Sequence, residues 1–146
     1  MIVALLLSVW AAAIAGFDWW RRKVPNAALV LTLVPASLAL VFQGQGLLGQ
    51  RWQDSLLGMA IAFALALPGY LRRGLGAGDV KFAAVLGLLL GTARSFEMLL
   101  GAAILMGCVA GVMLLRGARG SAKFPAAPML AAAFVVEVFC GPMLSL

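Results

Sequence analysis

Two of the five acidic residues sit where a carboxylate is costly unless it has a task. Asp79 lies in Gly76-Ala77-Gly78-Asp79-Val80-Lys81, where a glycine-rich stretch runs into an apolar segment. Asp18 closes the first apolar segment and is followed by Trp19-Trp20-Arg21-Arg22-Lys23-Val24-Pro25-Asn26. A carboxylate at the edge of hydrocarbon normally marks a proton path, an ion or catalysis. Two carboxylates brought close cannot both ionise cheaply, so the pair shares a proton. The ionised member can take a proton from water while the protonated member polarises a carbonyl, which is amide hydrolysis without a covalent intermediate. Each acid also has a plainer reading. Asp18 can be a helix-end charge beside Arg21 and Arg22, and Asp79 can simply favour a helix N-terminus.

Other hydrolytic systems find little support. The chain has no histidine, which removes serine–histidine and cysteine–histidine pairs. Ser121 and Lys123 lie near each other, but on a basic loop with nothing to desolvate the lysine. Cys108 and Cys140 fall within apolar segments with no CxxC pair and read as small buried apolar residues. No metal site and no cofactor are expected. Gly74, Gly76 and Gly78 leave the backbone before Asp79 almost bare. That permits either a close-passing substrate strand or a turn of positive φ.

These residues must be positioned by membrane helices. The chain is 64% hydrophobic and only 11% charged, with a mean hydropathy of +1.08. Soluble domains run at roughly 45–50% apolar and about 25% charged. The expected fold is therefore all-α, a single integral-membrane domain over residues 1–146 with no separate soluble part. The net charge of +6 sits in short loops, a pattern that sets topology and touches anionic headgroups of membrane lipids. Nucleic acid is not an expected partner.

Six spans are expected, over residues 1–17, 26–42, 55–71, 80–93, 96–115 and 124–146. No cation precedes the first, so it reads as a retained helix and not a signal peptide. The fourth is fourteen residues long, about 21 Å against a hydrocarbon core of about 30 Å. Either neighbours shield it, or it begins below the headgroups and holds Asp79 inside the membrane edge. Nine of the eleven cations lie in or just beyond the loops after the first, third and fifth spans, against Arg51 and Arg94 in the others. That bias places both termini outside and both aspartates on the cytoplasmic side. Gly87-xxx-Gly91 and Gly107-xxx-Gly111 have helix-packing spacing. Lys81 stands about 200° around a helix from Asp79 and reads as an interface anchor. Glu137 in the sixth span reads either as a buried functional acid or, more plainly, as a group near the outer interface. Trp19, Trp20 and Tyr70 suit an interfacial aromatic belt.

Asp18-(x)6-Pro25-Asn26 together with Gly76-x-Gly78-Asp79-Val80-Lys81 resembles the prepilin peptidases, intramembrane aspartyl proteases of the GxGD type. Lys123-Phe124-Pro125-Ala126-Ala127-Pro128 is similar to the proline-bearing start of that family's last helix. The resemblance implies that Asp18 and Asp79 are the catalytic pair, with Gly76, Gly78, Lys81, Pro25 and Asn26 supporting the site or the substrate. It implies a type IV-class prepilin as substrate, cut after its short basic leader at the cytoplasmic face of a bacterial inner membrane, in a process linked to pilus or secretion machinery. Larger members carry an N-terminal cytoplasmic insertion with zinc-type cysteine pairs and also methylate the new N-terminus. Nothing like it is present here, so the chain most resembles the short Flp/Tad-type peptidases, and methyl transfer is expected to be absent. Two rivals remain at this level. A small proton- or ion-coupled transporter would also use paired acids, though nearer the midplane and in repeated halves. A structural subunit would tolerate loss of either aspartate.

Overall fold

A computed structural model describes residues 1–21, 23–117 and 126–141. Among these residues it contains six helices: α1 (Ile2–Arg21), α2 (Asn26–Gln43), α3 (Trp52–Leu71), α4 (Ala77–Leu90), α5 (Thr92–Leu115) and α6 (Ala127–Cys140). The fold is all-helical, and α1, α2, α3 and α5 are each long and apolar enough to cross a membrane. The chain is thus a polytopic membrane bundle. Arg22, Arg119, Lys123, Phe124 and Pro125 fall outside the described residues, as does the expected end of the sixth span beyond residue 141.

The fourth helix is the axis of the bundle. Val80, Phe82, Ala83 and the run Val85–Leu90 are all buried, so its apolar residues face protein on every side. Its fourteen residues amount to about 21 Å, and neighbours cover that short length: α2, α3, α5 and α6 all pack on it. Shielding, the first of the two explanations for a short span, therefore holds. The α3–α4 contact is the most extensive, because Gly58 and Gly87 bring the two backbones together. A Cβ on Gly87 would run into the Gly58 carbonyl oxygen and the Ala62 side chain. In lipid, small residues at such crossings replace the hydrophobic drive that water would supply.

The far end of α4 is closed by side chains. Gln50 Nε2 donates to the carbonyls of Leu88 (2.9 Å) and Leu89 (2.6 Å), which have no partner within the helix. Gly91 then turns the chain into α5 at φ 81°, a conformation that suits glycine. At the other side of the bundle, Trp10 of α1 donates its indole N–H to Ala28 O at 3.0 Å and stacks at 5.7 Å on Phe82. That pair fixes α1 against both α2 and α4. The main contact of α1 is with α6, which also packs on α4 and α5.

Several boundaries differ from the sequence expectation. The first helix continues past Asp18 to Arg21, and α4 begins at Ala77, three residues before the expected Val80. Both aspartates thereby fall inside helices instead of at their edges. Helix α3 starts at Trp52, which was expected in a loop, and runs through Pro68 to Leu71. Cys108 and Cys140 are exposed on the outside of the bundle, not buried. Gly87 and Gly91 do serve packing, whereas Gly107 and Gly111 meet nothing within 4 Å among the described residues.

Candidate active site

The buried stripe of α1 runs Leu7, Ala11, Ile14, Asp18, stepping four, three and four residues along one helical face. Asp18 is therefore the polar end of an apolar stripe, turned inward and only 4% exposed. It is not a charge reaching out to solvent beside Arg21, whose guanidinium lies exposed over the Phe17 ring at 5.7 Å. The helix-end reading of Asp18 fails on that geometry.

Asp79 occupies the third position of α4. Its Oδ2 accepts the Gly76 N–H at 3.0 Å, half of a capping box, since glycine has no side chain to return the bond. The plain reading of Asp79 as a helix N-terminal group is thus met by one oxygen. Its Oδ1 is buried and has no hydrogen-bond partner among the described residues, and the same is true of Asp18 Oδ2. An unsatisfied buried carboxylate oxygen is costly and asks for an explanation. Both aspartates line one cleft of about 300 Å³. Asp79 senses the charge of Asp18 there, and the backbone amide of Ala127, in the first turn of α6, bears on both. Three helices, α1, α4 and α6, thus converge on two carboxyl groups.

Asn26, Gly76, Gly78 and Lys81 line the same cleft, with Lys81 exposed at its rim. Pro25 does not line it. Pro25 precedes α2 at φ −71° and accepts the Ala28 N–H at 3.1 Å through its carbonyl, so it starts that helix. The glycines differ from expectation too. Neither Gly76 (φ −76°) nor Gly78 adopts positive φ. A Cβ on Gly78 would come within 2.9 Å of the Val24 Cβ, so this glycine admits the chain's own α1–α2 connection and not an open channel for a substrate strand.

Sequence reasoning missed Val24, Lys23 and Ala77 as cleft residues, and had no means of finding the Ala127 amide. A larger cavity of about 520 Å³ lies at the opposite end of the bundle among Gln50, Asp54, Thr92 and Arg94. It contains neither Asp18 nor Asp79, and no argument for acid–base chemistry attaches to it.

A membrane helical bundle with two acids sharing a cleft, each with an oxygen unpartnered among the described residues, has the equipment of an aspartic hydrolase. The chain matches the model of the type IV leader peptidase family over residues 5–112, and it belongs to that family. The matched segment includes both aspartates and ends within α5. Membership supports an aspartic-type leader peptidase acting on prepilin-like substrates. No curated protein and no solved structure gave a match.

Proposed function

We propose that this chain is an intramembrane aspartic endopeptidase that removes the short basic leader of Flp/Tad-like prepilins at the cytoplasmic face of a bacterial inner membrane. The observation that carries the mechanism is the shared cleft, into which Asp18 and Asp79 each bring a buried oxygen without a hydrogen-bond partner among the described residues. A water between them would meet one ionised and one protonated carboxyl. The ionised group takes a proton from the water as its oxygen attacks the scissile carbonyl, and the protonated group donates to the carbonyl oxygen. Reversing those roles delivers a proton to the departing amine. The proton belongs to the pair, so neither residue is assigned a permanent role. The Gly76 N–H holds one Asp79 oxygen and leaves the other for this task, while the Ala127 amide orients both groups.

The cytoplasmic setting is supported by the cation distribution, which puts the aspartate end on the positive side with both termini opposite. Helices α1 and α2 are joined by only residues 22–25. The likeness to the short Flp/Tad-type peptidases favours cleavage without methyl transfer. Coexpression with a Flp/Tad-type prepilin tests the proposal. Mass analysis should find a leader-shortened product with an unmethylated new N-terminus. An uncut prepilin alongside membrane-inserted protein would contradict it, and proton or solute flux in its place would support the transporter reading.

A further inference from the structure

The end of the bundle remote from the aspartates holds a second acid pair. Glu97 near the start of α5 and Glu137 near the end of α6 are 7% and 6% exposed. Their side chains face each other across the α5–α6 contact, within hydrogen-bonding reach. A carboxylate has no donor, so a hydrogen bond between them exists only while one of the two carries a proton. Without it, two buried like charges face each other at contact distance, an arrangement that drives groups apart. Glu137 Oε2 is buried with no hydrogen-bond partner among the described residues.

Among the described residues, one other charge acts on Glu137. Arg94 bears on it from α5 and also lines the large cavity with Asp54 of α3. The other helices against α6 are α1 and α4, whose charged side chains, Asp18, Arg21, Asp79 and Lys81, all sit toward the opposite end, and only the exposed amino terminus of Met1 begins on this side.

Helix α6 joins the two ends. Ala127 bears on both aspartates in its first turn, and Glu137 lies ten residues further on, about 15 Å along a stiff rod. Helices α1, α4 and α5 all hold this rod, and the Glu97–Glu137 contact is its grip at the far end. We propose that Glu97 and Glu137 form a one-proton clamp between α5 and α6, which keeps Ala127 in register with the aspartates. Cleavage then falls when pH on the far side rises enough to remove the proton. The link to cleavage rests on the peptidase reading above. Both glutamates are positioning residues, since neither reaches the cleft.

Two readouts on purified, lipid-reconstituted protein test the clamp. The first needs no cleavage. In the Asp18→Asn/Asp79→Asn background, infrared spectra should show a protonated-carboxyl C=O band near neutral pH. That band should fade at alkaline pH and vanish on adding Glu137→Gln. The second is the pH profile of prepilin cleavage with the aspartates intact. Glu137→Gln keeps the shape and a donor without a titrating proton, so it should cut well at neutral pH and lose the wild-type fall at alkaline pH. Glu137→Ala should lower kcat about tenfold or more with KM little changed, since a misplacement of about 1 Å can cost 10²-fold. Absence of the infrared band, or an alkaline fall unchanged by Glu137→Gln, would overturn the clamp while leaving the peptidase reading intact. A chain that cuts no prepilin would overturn the peptidase reading, and the band would still decide the clamp.

Discussion

One oxygen of Asp79 caps its own helix and the other faces the cleft, so the residue does structural and chemical work together. Its neighbour Gly78 sets how close α4 can come to the connection carrying Val24. Substituting Gly78→Ala adds only a Cβ, yet that atom would sit 2.9 Å from the Val24 Cβ, closer than real contacts allow. Either α4 or the α1–α2 connection must shift, and Asp79 moves relative to Asp18. We expect the variant to insert normally and to lose at least about tenfold in cleavage, because shifts of about 1 Å at a reacting centre can cost 10²-fold. Adding Val24→Gly removes the opposing atom and should restore part of the loss. Full activity in Gly78→Ala would show that the contact does not position the site. The two aspartates were legible in the sequence because an acid stands out in an apolar chain. Val24 was not, since nothing in an ordinary valine announces a tertiary contact with a glycine fifty-four residues later. Glu137 stayed between two readings, a buried functional acid or a group near the outer interface, for a related reason. Depth along a span can be counted, but the direction a side chain faces depends on its partner helix, here α5 with Glu97.

At the level of elements, hydropathy located all six helices and placed most of their ends within about four residues, though α6 stops at Cys140 and not at the expected 146. The errors that matter lie at Asp18 and Asp79. Counting apolar residues stops at the first charge, while a helix continues as long as its backbone can bond and a side chain can cap it. Asp79 caps α4 from its third position, so the helix begins before the acid. Helix α4 itself depends on contact with α3 through Gly58 and Gly87. Gly87→Leu would force a side chain into the Gly58 backbone, and overpacking of this kind costs about 1–3 kcal/mol. Thermal unfolding in detergent should show a lowered midpoint together with reduced cleavage. An unchanged midpoint would mean that the crossing has slack the geometry does not suggest. Gly107→Leu is the contrast, because nothing lies within 4 Å of a Cβ there among the described residues. Its midpoint should stay close to that of the parent.

Across the whole molecule, three helices far apart in sequence bring Asp18, Asp79 and the Ala127 amide to one end of the bundle. The expectation that the two acids share one side of the membrane came from charge alone, since cations cluster in alternate loops, and the structure brings both acids to one end of the bundle. The contribution of α6 was not readable, because a backbone amide carries no residue identity. The central claim is that Asp18 and Asp79 act as one unit, and a single comparison tests it most directly. Leader removal from a prepilin should be measured for Asp18→Asn, Asp79→Asn and the double variant at matched membrane levels, with Asp54→Asn as control. Asparagine keeps the shape and removes the proton transfer. The expected result is loss of cleavage in each single variant and scarcely further loss in the double, because members of one catalytic unit are not additive. Asp54→Asn, at the opposite end, should cleave normally. Substantial turnover by either single variant would contradict the two-aspartate account.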